Sequence, residues 1–221
     1  MNDLNRKLQE IQKKLYLQRD GASSSSMRKK GLEYKMNWGV PIVTLRNIAG
    51  NYAPDPESAN EMWSKNNREL RILATMMQDP SSFNDAEKWV NGIQNVELAE
   101  QATMNLFSRL PDAGKFASEW IQSDKLYIRL CGFLLYMRLF MQDYEMASEE
   151  EKNYFSALFD ALNNESLILK RAALNSLKYL GKQSIIRSKT ILANIKGNNK
   201  LPEDLKQYLY DDLLFEFESL G

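Results

Sequence analysis

The chain contains no histidine and a single cysteine. Without histidine it lacks the usual neutral-pH general base, the Ser-His and Cys-His nucleophile systems and the commonest zinc ligand. One cysteine excludes an internal disulfide, and Cys131 sits in the apolar run Leu130 to Leu135, where an inert core thiol is expected. The ten glycines are scattered and build no phosphate-cradling loop. No apolar run approaches the length of a membrane span. The charged start (Asp3, Arg6, Lys7, Glu10) lacks the hydrophobic region of a signal peptide. These absences lead us to expect a cytoplasmic protein with no metal and no cofactor. Any chemistry would rest on carboxylates, Lys, Tyr or Arg.

What the chain does have is sorted charge. It balances 29 basic against 29 acidic residues, yet between Glu165 and Glu203 it carries eight Lys/Arg and no Asp or Glu. These eight are Lys170, Arg171, Lys178, Lys182, Arg187, Lys189, Lys196 and Lys200. The same stretch holds Leu167, Ile168, Leu169, Leu174, Leu177, Ile185, Ile186 and Ile191, so it reads as folded helix. A locally positive surface is what a polyanion reads, and nucleic acid is the first partner suggested. Solvated helix faces beside acidic neighbours would give the same composition.

Helical periodicity runs from end to end. Leu4, Leu8, Ile11 and Leu15 space an opening helix, which the Gly21 to Ser26 run is expected to break. Met27 to Tyr34 reads as a short helix, and Pro41 as the first turn of another carrying Ile42, Leu45, Ile48 and Ala49. Asp55-Pro56 opens a helix to Ser64, Asn66 or Asn67 caps the next, and Asp79-Pro80 stops it. Further helices are expected over 83–92, 95–109, 112–122, 124–142, 148–162, 165–180, 184–197 and 202–219. Ser148-x-x-Glu151 reads as a capping box and Pro202 as the last start. No stretch alternates like a strand. At 221 residues this predicts one all-α domain of stacked antiparallel helix pairs, an α-solenoid with a concave inner face; a compact all-α bundle is the alternative. Within it, 1–26 forms an N-terminal helix and Ser-rich turn and 181–221 forms terminal capping helices.

Residues 27–180 carry a resemblance. Arg28-Lys29-Lys30, Asn37-Trp38-Gly39-Val40-Pro41, Leu45-Arg46-Asn47-Ile48-Ala49, Met62-Trp63-Ser64 and Glu69-Leu70-Arg71 follow one another. Lys88-Trp89-Val90, Ile93-Gln94-Asn95, Trp120-Ile121-Gln122-Ser123-Asp124 and Lys170-Arg171-Ala172 come after them. In this order the segments resemble the AlkD-like DNA alkylation repair family. The resemblance implies a C-shaped array of HEAT-like helix pairs whose concave, basic face holds duplex DNA. It also implies excision of cationic alkylated purines, in which a carboxylate stabilises the oxocarbenium-like sugar, two tryptophans cradle the lesion and an arginine grips phosphate. A cationic base is already a good leaving group, so the missing histidine does not argue against that reaction.

At those landmarks the chain departs from the family. Active members read Trp-Asp-x-x-Asp where this chain has Val96-Glu97-Leu98-Ala99-Glu100. Val96 offers no aromatic face, while Glu100 keeps the catalytic charge one methylene longer and shares a helix face with Val96. The expected arginine falls on Leu130 of Arg129-Leu130 unless the register slips by one, and Asn175 stands at the second tryptophan.

The expected function is therefore binding of double-stranded DNA through its backbone, with little or no glycosylase activity. A working alkylpurine glycosylase using Glu100 and a protein-binding solenoid are the alternatives. Arg171, Asn175 and Lys178 fall at i, i+4 and i+7 and are read as an unpaired phosphate-binding stripe. Arg129, Lys170, Lys29, Lys30 and Lys35 are further candidate contacts. Trp38, Trp63, Trp89 and Trp120 are read as packing residues. The acidic last helix (Asp204, Asp211, Asp212, Glu216, Glu218) is expected away from DNA, on the convex side or against a protein partner.

Overall fold

Local capping marks where several helices begin. Asn67, Asn95, Ser166 and Ser184 each accept a hydrogen bond from the backbone N–H three residues on, which satisfies one of the orphan donors at a helix start. In the computed structural model, which describes residues 3–164 and 166–218, thirteen α-helices follow. They are α1 Asp3–Leu17, α2 Gly21–Lys29, α3 Ile42–Ala49, α4 Pro56–Trp63, α5 Arg68–Met77, α6 Ala86–Asn91 and α7 Val96–Asn105. After a 3-10 turn at Phe107–Arg109 come α8 Ala113–Trp120, α9 Leu126–Phe140, α10 Ser148–Asn163, α11 Leu167–Lys182, α12 Ile185–Gly197 and α13 Glu203–Glu218. Among the described residues the only β pairing is an isolated bridge between Met36 and Asn67. No helix there is long and apolar enough to cross a membrane, and no group of His, Cys, Asp and Glu could hold a metal. The expected helix limits at 165 and 219 lie outside the described residues.

Three local expectations are corrected. The Gly21 to Ser26 run does not break a helix; it forms most of α2. The Asp20 carboxylate accepts from the Ala22 and Ser23 N–H groups, and Ser24 is buried with its hydroxyl donating to the Asn37 carbonyl at 2.7 Å. The helix expected to reach Tyr34 stops at Lys29, because Gly31 adopts φ 83 just beyond the cap. Ser148 is the first residue of α10 rather than its cap. Ala147 takes the cap position with no side-chain acceptor, and the Glu150 carboxylate accepts from the Ala147 N–H.

The chain divides into two compact units, Met1–Pro111 and Asp112–Gly221. In the first, α3, α5 and α7 pack side by side, with α1 and α4 behind α3 and α5. In the second, α9, α11 and α13 form one layer, backed by α8, α10 and α12. Gln183, just past α11, donates to the Phe140 carbonyl at the end of α9 and to the Tyr144 carbonyl. The two helices therefore end together and run parallel, so Leu126 and Leu167 begin them at the same end. α11 buries Leu169, Ala172, Ala173, Ser176, Leu177 and Leu180, and each such leucine contributes on the order of 2 kcal/mol of burial. α13 docks through Leu209, Leu213 and Phe217, and a Cβ at Gly181 would overlap the Phe217 ring.

Candidate nucleic-acid interface

α11 presents one open face. At 100° per residue, Leu167, Ile168, Arg171, Asn175, Lys178, Tyr179 and Lys182 project on the side opposite its core residues. All are at least partly exposed. Arg171 and Asn175 are exposed and Lys170 is half-buried. None of these three has an ion-pair or hydrogen-bond partner from another side chain among the described residues.

The expectation of an unpaired stripe fails further along. Lys178 lies 2.9 Å from Asp212 and 3.1 Å from Glu216, and Lys182 lies 2.7 Å from Glu216. Burial alone would pull the Lys178 ammonium down. Its close ion pair with Asp212 and its hydrogen bond to Glu216 hold it above its ordinary value. Hydrogen bonds from Lys182 and then Lys178 hold the Glu216 carboxyl below its ordinary value. The acidic α13, expected away from DNA on the convex side or against a protein partner, lies against the basic stripe. The cause is complementary spacing: Lys178 and Lys182 stand at i, i+4 on α11, as do Asp212 and Glu216 on α13. That matching spacing was available in the sequence and was the missed signal.

Arg129 is also held. Its Nη2 donates to Asp160 at 2.6 Å and to the Ala157 carbonyl at 3.1 Å, while its buried Nε finds no partner. It lines a groove of about 390 Å³ with Gln122, Asp124, Asp160, Asn163 and Lys200. Its neighbour Leu130 is 1% exposed and belongs to the core. A side chain there reaches no ligand.

In the first unit, Val96 opens α7 and Glu100 follows one turn on, exposed, so both share a helix face. The carboxylate most firmly placed nearby is Glu97, which sequence reasoning passed over. Arg68, 1% exposed, donates to Glu97 at 2.8 and 2.6 Å, to Glu69 at 3.0 Å and to the Val40 carbonyl at 2.9 Å. Glu69 in turn accepts from the Trp38 and Val40 N–H groups. Burial works against the Arg68 charge, and Glu97 and Glu69 outweigh it, so the guanidinium stays above its ordinary value. This cluster fixes the Trp38–Val40 loop from inside.

The tryptophans pack. Trp63 and Trp89 stack at 4.2 Å and are buried, as is Trp120, while Trp38 is half-buried. Arg71 lies over Trp63 and donates to the Lys65 and Gly92 carbonyls. Lys29, Lys30 and Lys35 are exposed near the end of α2 and in the loop after it, with no ion pair among the described residues.

Three comparisons with known proteins bear on this geometry. No curated protein matches. A solved structure described as a new family of proteins related to the HEAT-like repeat DNA glycosylases, with affinity for branched DNA structures, superposes with a TM-score of 0.77. It is 16% identical, covering 97% of this chain and 96% of that one. At that identity the likeness establishes the fold, an all-α HEAT-like solenoid. An engineered protein superposes with a TM-score of only 0.39 at 13% identity, over 99% of this chain and 100% of that one. The sequence profile of the DNA alkylation repair enzymes matches residues 11–194, and the chain belongs to that family.

Proposed function

We propose that this protein binds double-stranded DNA through its phosphate backbone and releases no alkylated base above the spontaneous rate. One observation carries the reading. Both positions where the resemblance implies a stacking tryptophan hold a residue unable to do that work, and the expected arginine falls on Leu130 in the register read from the sequence, while Arg171, exposed, and Lys170, half-buried, have no ion pair among the described residues. Val96 and Asn175 have no aromatic face, and Leu130 is sealed in the core. The family and the fold supply the partner class. The structural relative is described as having affinity for branched DNA structures, and the reading gives this chain a DNA partner of the same general class.

Lys170 and Arg171 are the primary phosphate contacts in this reading, with Lys29, Lys30 and Lys35 as secondary ones. Asn175 adds a neutral hydrogen-bonding group beside Arg171. Lys178 and Arg129, already engaged by carboxylates, add little. The deciding experiment is binding to labelled duplex DNA over a range of salt, beside a base-release assay on 7-methylguanine and 3-methyladenine DNA. Binding that weakens steeply with salt, without base release, supports the proposal. Salt-independent binding or robust release overturns it.

One observation favours the second reading, an active glycosylase. Glu100 keeps a carboxylate on the exposed face it shares with Val96. In that case base release would be measurable and would disappear in Glu100→Gln.

A further inference from the structure

We propose that Leu167 and Ile168 form an apolar wedge that enters an opened base step, so that the protein favours nicked or branched duplex over continuous duplex. This rests on the DNA-binding reading above and assigns the residues that would sort DNA structures within it.

Leu167 is 68% exposed and Ile168 is 37% exposed, whereas Leu169, Leu177 and Leu180 of the same helix are buried. Single exposed aliphatics are ordinary on a protein surface. Here the pair opens the half of this α11 face that lies ahead of the α13 contacts at Lys178 and Lys182, and Arg171 follows Leu167 by one turn on it. Leu126, 38% exposed, begins the parallel helix α9 at the same end of the unit. Neither α9 nor α11 carries an acidic residue in its first turn. The aliphatic tips therefore project beside Lys170 and Arg171, and the nearest acids in sequence, Asp124 and Glu165, precede the two helices rather than standing in their first turns.

Apolar tips flanked by cations suit a partner with charged edges and apolar faces stacked between them. A nucleic acid has both, and the charge selects it over an apolar protein surface. In continuous duplex a wedge must first unstack a base step, and that cost opposes entry. At a nick or branch point the stacking is already weakened. Aliphatic burial against an exposed base face then comes without that cost. The cations hold either structure equally through its phosphates, and the wedge tells them apart.

The test compares the full-length protein with Leu167→Ser/Ile168→Ser on a continuous duplex, the same duplex with a nick, and a three-way junction of the same arms. The wild type is expected to bind the junction about tenfold tighter than the continuous duplex, and the variant to lose that preference while keeping its continuous-duplex affinity. Leu167→Met/Ile168→Val should retain the preference, which separates apolar contact from loss of folding. A fluorescent adenine analogue at the branch point should brighten on binding the wild type and not the serine variant. Equal affinity of the wild type for all three DNAs, or a serine variant that keeps the preference, overturns the wedge and leaves DNA binding standing. Absence of binding to any of the three removes both.

Discussion

Lys178 on α11 lies 2.9 Å from Asp212 on α13, and that contact divides the basic face of α11 into a neutralised half and an open half. Glu216 completes the arrangement by bridging Lys178 and Lys182. A cation already held by two carboxylates has few counterions to release on meeting a phosphate, so its share in DNA binding should be small.

Single substitutions along the stripe should therefore behave differently. Arg171→Ala is expected to lower the magnitude of the salt slope for duplex DNA by about 0.9, the value of one phosphate contact, with stability changed by less than about 0.5 kcal/mol. Lys178→Ala is expected to leave the slope unchanged and to cost stability, because it strands Asp212 and leaves Glu216 with Lys182 alone. Asp212→Asn/Glu216→Gln should instead release both lysines and steepen the slope. Asp211→Asn/Glu218→Gln, with equal charge change elsewhere on α13, serves as the control. If both double variants steepen it equally, the effect is overall charge and the pairing is irrelevant.

The same contact sets a pH dependence. Lys182 and Lys178 lower the folded-state pKa of Glu216 below the ordinary 4.5. Its contribution is thus present above 4.5 and fades as pH falls through the lower folded value. The difference in thermal midpoint between wild type and Glu216→Gln should persist from neutral pH down to that ordinary value and shrink below it. Lys178 acts in the opposite sense: with its folded pKa raised above 10.5, its contribution holds below that value and is lost as pH rises further. Thermal melts of the two single variants across pH would check both signs.

Arg68 should be a stability residue with no DNA phenotype of its own. Removing it leaves Glu69, fully buried, and Glu97 without their shared counter-charge. Arg68→Ala is expected to cost about 3–5 kcal/mol in urea unfolding, the range for breaking one side of a buried ion pair. A loss below about 1 kcal/mol would mean that the carboxylates take up protons or water at little cost.

The all-α architecture was legible because its signals are local. Asn67, Pro56 and the leucine spacing of α1 each act within a turn or two of chain. α2 escaped for a related reason: a serine run reads as a loop until Asp20 caps it and Ser24 finds the Asn37 carbonyl 13 residues away. The candidate interface was legible only in part. Arg171 and Asn175 are exposed as their spacing implies, whereas the partners of Lys178 lie 38 residues along the chain at Glu216 and depend on how α13 docks. At Arg129–Leu130 packing gives the leucine to the core and the arginine to Asp160, a placement that depends on contacts 31 residues along the chain.

Catalysis gives the sharpest division between the two readings of the site. With the protein in excess over 7-methylguanine or 3-methyladenine DNA, release of base should not exceed the spontaneous rate. Val96 and Asn175 give the lesion no aromatic face. Leu130→Arg should not restore activity, because the new charge would be buried in the core and would unfold the unit before it reached a phosphate. Glu100 alone could still stabilise positive charge developing on the sugar, since a carboxylate needs only proximity and low dielectric to do so. Its exposed position supplies the access but not the low dielectric. Release that vanishes in Glu100→Gln would make the protein an enzyme working through that acid. Release that survives the substitution would place the chemistry on other residues and undo the correspondence between this chain and the family's active site.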